Sequence, residues 1–239
     1  MSGGSTVRVA IIVPAYNEGK VIRRVVQKLQ RALQKSPYIF QVIVVDDGSR
    51  DNTANEARHS GAYVISHLLN SGSASDPTAT GLAYARRHDF DMACVCDGDG
   101  QHDPADVLKG IELLAAGDVD LLIGSRLLSP AGMSRLKRLG NKGLTLVTFL
   151  LFGTRVTDSQ SGLRVLSRKA LDQLRWKTTG YEFCSEMLWR AKQLGLVIGE
   201  YPIHGIYTDY SRAKGQNNWN AVNIIKILTK QRVLELFSE

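Results

Sequence analysis

Cysteine is scarce in this chain, with three in 239 residues. That odd, low count excludes a disulfide-stapled secreted scaffold and points to a reducing compartment. Cys94 and Cys96 sit two apart in an apolar run, where they share one face of a strand and read as core filling. The five histidines form no H-x-x-x-H pair and no C-x-x-C stands near them, so a zinc site has no support. A G-x-x-x-x-G-K-[ST] loop and a G-x-G-x-x-G after the first strand are also missing, which removes the main sequence basis for an ATPase or a dinucleotide oxidoreductase. The longest apolar stretch, Leu144 to Gly153, falls short of the ~20 residues a bilayer-crossing helix needs. No signal-peptide pattern opens the chain, and the Gly/Ser-rich residues 1–6 read as a disordered start. Only six prolines, with 44% hydrophobic and 22% charged residues, exclude a collagen-like, disordered or low-complexity chain. One large domain is expected.

Charge is plentiful but divided. Residues 1–125 carry 12 Lys and Arg against 15 Asp and Glu, whereas residues 126–239 carry 18 against 8. An acidic half suits metal or base recognition, and a basic half suits phosphate or membrane contact or a solvated surface. Nucleic-acid binding, the other meaning of a basic chain, has no motif here.

Nearly continuous apolar runs at Val7–Val13, Phe40–Val45, Ala62–Ser66, Met92–Cys96 and Leu121–Gly124 predict parallel strands buried on both faces. Helical patterns lie between them. Val21, Val25, Leu29 and Leu33 recur every four residues, and Ala79–His88 and Ala105–Ala115 are similar. This alternation predicts an α/β fold, a Rossmann-like, doubly wound, mostly parallel sheet in a single domain over residues 7–216. The second half predicts a helix at Ser134–Phe152, a strand at Leu163–Leu166, a helix at Phe183–Leu194 and a strand at Leu196–Tyr201. Residues 217–239 read as a C-terminal amphipathic helix for membrane or partner contact.

Ligands of such sheets sit beyond the carboxyl ends of the strands. Those positions hold Pro14-Ala15-Tyr16-Asn17-Glu18, Asp46-Asp47-Gly48-Ser49, Asp97-Gly98-Asp99-Gly100-Gln101-His102 and Gly124-Ser125-Arg126. Asp97 and Asp99 flank a glycine where two carboxylates converge on a hard divalent cation, with Gln101 a further oxygen ligand. Phosphate would be held by metal and arginine instead of a glycine-rich loop.

VAIIVPAYNE, VIVVDDGSRDNT, DGDGQHDP, GSR and DSQSGLRVLSRKAL, in that order, resemble the inverting family 2 glycosyltransferases of the GT-A fold, and among them the dolichyl- and polyprenyl-phosphate sugar synthases. The resemblance covers roughly residues 7–214. It implies a nucleotide-diphosphate sugar donor of the GDP-mannose or UDP-glucose type, a Mg²⁺ or Mn²⁺ ion, and transfer of a hexose to a lipid phosphate. It also implies a peripheral, cytoplasmic place on the inner face of a membrane, with a small membrane protein or a second copy as partner. Carried over, Pro14, Ala15, Tyr16, Glu18, Asn70 and Gly72 would line the nucleotide-sugar pocket, and Asp46 or Asp47 would contact base or ribose. Asp97, Asp99 and Gln101 would hold the metal, with Asp97, Asp99, Arg126 and Arg212 as the catalytic set. Arg126, Arg138, Lys142, Arg212 and Lys214 are the candidates for the acceptor phosphate.

A sugar hydroxyl as acceptor would need a carboxylate base, and Glu182 or Glu186 are the nearest options. That is the alternative of a family 2 enzyme of surface polysaccharide synthesis. Asp158, Ser161, Gly162 and Arg164 fall in a D-x-x-S-G-x-R run expected to fix the shape of the site. The family's glycine-rich turn is altered between Asn70 and Gly81, with an extra residue, which also admits a weakened nucleotide-sugar-binding module. Leu136–Phe152 has the composition of an interfacial helix, led in by basic residues and apolar at its end.

Overall fold

The computed structural model describes residues 6–130, 132–180, 182–207 and 219–236. Seven strands form one sheet: β1 (Arg8–Ala15), β2 (Ile39–Asp46), β3 (Tyr63–Ser66), β4 (Met92–Val95), β5 (Leu121–Ser125), β6 (Arg164–Ser167) and β7 (Ile198–Pro202). Their order is β3-β2-β1-β4-β6-β5-β7. All neighbours are parallel except β6, which runs antiparallel between β4 and β5 with Cys94 opposite Val165 and Leu122 opposite Val165 on its other edge. The expected doubly wound, mostly parallel sheet is what forms.

Helices cover both faces, and the period-2 alternation of the central strands shows why. Val9, Ile11 and Val13 face one layer with Val42, Val44, Cys94 and Cys96. That layer is α1 (Ile22–Leu33), whose stripe Ile22, Val26, Leu29 and Leu33 is buried, with α2 (Thr53–His59) and α4 (Pro104–Ala116). Ala10, Ile12, Ile43, Val45, Ala93 and Val95 face the other, built from α3 (Ser75–Arg87), α6 (Arg168–Gln173) and α7 (Phe183–Gln193). Cys94, Cys96 and Cys184 are all buried and unpaired, and burial alone pushes the Cys94 thiol up to about 12. They are core residues without reactivity.

Residues 126–163 leave the sheet after β5 and return into β6, carrying α5 (Arg135–Phe152). Ser134 caps α5 through Lys137 N, and Gly153 ends it in the left-handed region at φ 64°. Leu144 and Phe152 of α5, Trp189 of α7, and Ile224 and Leu228 of α8 (Trp219–Leu236) form a third, smaller core, where the Phe152 and Trp189 rings stack at 4.8 Å.

Three elements differ from the sequence expectation. Helix α3 starts at Ser75 instead of Ala79, so much of the altered Asn70–Gly81 stretch is helical. Pro77 is tolerated because the first turn has no use for its missing N–H. Helices α2 and α6 are additions. Only Thr53 and Ala57 of α2 are buried, too few to write a stripe into the sequence.

Candidate active site

Parallel strands β1, β2, β4 and β5 end at one edge of the sheet, and antiparallel β6 begins there. The five motifs therefore meet on one ledge, as open α/β sheets require of a ligand site.

On the nucleotide side, Pro14 and Ala15 are buried and Tyr16 is partly open. The loops after β1 and β2 are laced together: Asn17 N donates to Ser49 Oγ (2.9 Å), Arg50 N to Asn17 Oδ1 (2.9 Å), and Glu18 N to Thr53 Oγ1 (2.8 Å). The Asp46 carboxylate accepts only from Ser49 N (3.3 Å) among the described residues, while its backbone carbonyl takes His67 N at 2.8 Å. Asp47 differs. Its buried carboxylate takes hydrogen bonds from Asn70 Nδ2 (2.9 Å), Ser71 N (3.0 Å) and Ser71 Oγ (2.8 Å), and its other oxygen meets His67 Nδ1 at 2.7 Å. Of the two residues expected at base or ribose, Asp47 therefore organises the 67–71 loop and Asp46 is left for a ligand. Gly48, at φ 66°, passes under that loop so closely that a Cβ would lie 2.7 Å from Asn70 N. The altered turn is anchored at its far end, where Ser75 Oγ donates to Thr178 O (2.7 Å) and receives Trp176 Nε1 (2.9 Å). Gly72 stands at φ 85° with open space on its Cβ side.

At the end of β4, Asp97 and Asp99 sit on either side of Gly98. Asp99 accepts from Gln101 N (2.9 Å) and from the Gln101 side-chain amide N–H, which leaves the Gln101 side-chain oxygen Oε1 as an acceptor that a cation can use. Oδ2 of the Asp97 carboxylate meets His102 Nε2 at 3.0 Å, and Gly162 packs against the same carboxylate, where a Cβ would fall 2.5 Å from Oδ2 and 2.7 Å from Oδ1. Burial disfavours the Asp97 charge, but the His102 hydrogen bond and charge, with Arg126 and Arg164 nearby, hold its pKa below the usual carboxylate value. Asp99 moves the other way, raised by burial and then by the Asp97 charge. Two carboxylates and an amide oxygen beside a slot that a methyl group would fill suit a hard cation such as Mg²⁺ or Mn²⁺. Among the described residues no three His, Cys, Asp or Glu side chains converge, so such an ion would complete its shell from diphosphate oxygens and water.

The third wall is basic. Arg126 grips fully buried Asp158 through Nε (2.8 Å) and Nη2 (2.9 Å), with its own N at 3.2 Å. Burial would lower the Arg126 pKa, but Asp158 outweighs it and the net direction is up. Arg164, 2% exposed, donates to the carbonyls of Ser161 (3.0 Å), Cys184 (3.0 Å) and Ser159 (2.9 Å), locking the segment that carries Gly162. Glu186 is fully buried and takes Thr178 N (2.8 Å) and Lys177 N (3.1 Å), while Glu182 is 5% exposed and takes Gly180 N (3.1 Å).

Arg138 and Lys142 lie one turn apart on the exposed side of α5, and Arg212 and Lys214 fall outside the described residues. The first turns of α5 stand clear of the body: residues 135–140 are exposed all round, Leu136 by 65% and Leu139 by 69%. Tyr207 touches this end, with Lys137 Nζ 5.6 Å above its ring. Farther along, Leu146, Phe149 and Leu150 are exposed, as are Ile225 and Ile227 of α8, whereas Phe152 is core. Sequence reasoning passed over His102, which stood in the DGDGQHDP run as a neighbour of the ligands. Its place between a strand end and the helix cap Asp103 was the available signal.

The sequence matches the family model for glycosyl transferase family 2 over residues 10–175. It is 41% identical over 231 residues to a UDP-N-acetylglucosamine–dolichyl-phosphate N-acetylglucosaminyltransferase of Methanococcus voltae, covering 87% of this chain and 89% of the relative. It is 32% identical to a low-salt glycan biosynthesis hexosyltransferase of Haloferax volcanii, over 81% of this chain and 46% of that one. The fold is that of glucosyl-3-phosphoglycerate synthase from Mycobacterium tuberculosis, whose structure with Mn²⁺, UDP-glucose and phosphoglyceric acid aligns at TM-score 0.69 and 21% identity, over 94% of this chain and 80% of that one. Mannosyl-3-phosphoglycerate synthase from Rubrobacter xylanophilus aligns at TM-score 0.70 and 19% identity, over 94% and 74%. The motifs, the sheet and the matched family model agree: this chain is a GT-A-fold glycosyltransferase belonging to family 2, close to the dolichyl-phosphate sugar transferases.

Proposed function

We propose that the chain transfers a sugar, with inversion, from a uridine-diphosphate sugar to a dolichyl or polyprenyl phosphate, working peripherally at the cytoplasmic face of a membrane. The observation that carries this reading is the Asp97–Asp99 ledge, two carboxylates at a strand end with Arg126 alongside. Pro14, Ala15, Tyr16, Glu18 and Asp46 line the nucleoside pocket, and Asp47, Asn70 and Gly72 shape its rim. Asp97, Asp99 and the Gln101 side-chain oxygen would hold Mg²⁺ or Mn²⁺. When bound, that ion neutralises charge on the departing diphosphate. The protein's own part is to align two anionic groups for in-line attack at the anomeric carbon, with Arg126, Arg138 and Lys142 toward the acceptor and Arg212 and Lys214 carried by the late basic segment.

A phosphate acceptor fits the carboxylates around it. Glu182 and Glu186 both bind backbone amides and are buried, so neither is presented to a sugar hydroxyl as a base. A phosphate monoester needs none, since its second ionisation lies near pH 6. The relative named for UDP-N-acetylglucosamine makes that sugar the first donor to try. Membrane contact falls on the exposed side of α5 and α8, where Leu136, Leu139, Leu146, Phe149, Leu150 and Ile225 alternate with Arg135, Lys137, Arg138, Lys142 and Lys226. That mixture suits an anionic lipid surface, each basic residue adding on the order of 1 kcal/mol.

The test is a donor panel of UDP-N-acetylglucosamine, UDP-glucose and GDP-mannose with a short polyprenyl phosphate and Mg²⁺ or Mn²⁺, reading nucleoside diphosphate release and glycolipid. Glycolipid from a UDP-sugar is expected. Turnover on a water-soluble sugar acceptor with none on the lipid phosphate overturns the proposal.

A further inference from the structure

We propose that His102 is a positioning residue for the cation site: it fixes the carboxylate of Asp97 in the one orientation in which it can serve a metal ion. The proposal rests on the metal reading above and assigns a part to a residue outside the expected ligand set.

The backbone of His102 is held from both sides. Asp103, next in the chain, caps α4 by accepting from Ala105 N at 2.9 Å. Opposite, His102 pairs with Gly205 in an isolated antiparallel bridge, and Ile206 N donates to Gln101 O at 2.9 Å. Clamped there, the imidazole turns inward and is 5% exposed, with Nε2 3.0 Å from Asp97 Oδ2. A carboxylate accepts only, so Nε2 carries the hydrogen. Gly162 packs close against the carboxylate, and its segment is held in place because Arg164 ties Ser159 O and Ser161 O. Asp97 is thus held at Oδ2 while its side chain stays 45% exposed on the ledge, with Oδ1 lacking a hydrogen-bond partner among the described residues.

Core packing does not account for the ring. With Nε2 given to Asp97, Nδ1 is buried and has no hydrogen-bond partner among the described residues. An apolar side chain would fill the same space without stranding a ring nitrogen, and native cores rarely keep such a group without a reason. The reason visible here is the bond on the other nitrogen. Partners of this kind orient metal ligands, and removing one typically weakens metal affinity about 10–100-fold.

The experiment titrates Mn²⁺ into the purified chain with UDP present, followed by electron paramagnetic resonance, on wild type, Asp99→Ala, His102→Leu and His102→Gln. Leucine removes the donor, whereas glutamine places an amide N–H near the position of Nε2. The expected result is a Kd about 10–100-fold weaker for His102→Leu, with His102→Gln restored most of the way to wild type and melting temperatures of both near it. Equal Mn²⁺ affinity for wild type and His102→Leu, with Asp99→Ala weakened, overturns the role of His102 and leaves the metal reading standing. Equal affinity for wild type and Asp99→Ala overturns the metal reading and this proposal with it. If His102→Leu does not fold, His102→Phe, which fills the ring volume without a donor, takes its place: a Kd weakened about 10-fold or more supports the proposal, and wild-type affinity refutes it.

Discussion

Gly162→Ala is the substitution that best isolates the geometry of the cation ledge. The new methyl group would lie 2.5 Å from Asp97 Oδ2 and 2.7 Å from Oδ1, inside the 3.0 Å that Cβ contacts essentially never break. One side must therefore move by about 0.5 Å, more than the roughly 0.2 Å tolerated in metal–ligand distances. The glycine side is pinned by Arg164 on Ser159 O and Ser161 O, and by Ser161 Oγ on Gly124 O. The carboxylate must swing instead, against His102. Misplacement on this scale in a reacting centre costs up to about 10²-fold in rate, or about 2.7 kcal/mol of transition-state stabilisation. Gly162 is outside the left-handed region, so no backbone strain confuses the result. Crowding alone lowers stability by about 1–3 kcal/mol, which leaves the fold intact at 20 °C if the wild type has ordinary stability. The assay is kcat/KM with saturating metal, beside a Mn²⁺ titration and a thermal melt. A folded variant with wild-type turnover and Mn²⁺ affinity would refute the slot.

Other outcomes follow from the same geometry. Asp99→Asn should cut turnover by more than about 100-fold, yet raise the melting temperature of the metal-free chain, measured by scanning calorimetry. The raised pKa means that ionised Asp99 disfavours the fold: stability falls as pH rises from the unfolded value through the folded one, and the full penalty applies only above the folded value. Arg126→Ala should act mainly on stability, by about 3–5 kcal/mol in urea unfolding, because it strands the carboxylate of fully buried Asp158. A fully stable variant with weakened substrate use would return Arg126 to ligand contact alone. Phe149→Ser with Leu150→Ser should weaken sedimentation with anionic vesicles while keeping the melt, whereas Phe152→Ser should cost at least about 3 kcal/mol through the lost Trp189 stack. Vesicle binding in the wild type should release at high salt.

The central strands were legible because burial on both faces writes an unbroken apolar run, as in Ala10–Val13 and Ile43–Val45. Strand ends were legible for the same reason, since each run stops at a polar cluster. What was hidden depends on pairing between distant residues. Nothing in the sequence near Arg126 announces that its guanidinium meets Asp158, and although Arg164 falls in a run expected to fix the shape of the site, nothing in the sequence names the three carbonyls that surround it. The reversed direction of β6 is equally silent, because a short apolar run has no polarity of its own. In α5 the apolar positions were correctly seen, but their division between core Phe152 and exposed Phe149 and Leu150 depends on where α7 and α8 pack.

Because β5 and β6 lie side by side and antiparallel, residues 126–163 amount to a greatly enlarged hairpin tip. Its neck is fastened by Arg126 on Asp158 and by Ser125 Oγ on Thr157 Oγ1 at 2.6 Å, and α5 touches the body through Leu144, Thr145, Thr148 and Phe152. The tip is therefore an exchangeable module. A relative's α5 grafted between an intact neck, with those four inward positions kept, would change which lipid surface or acceptor is met while the Asp97–Asp99 ledge, built on other strands, stays as it is.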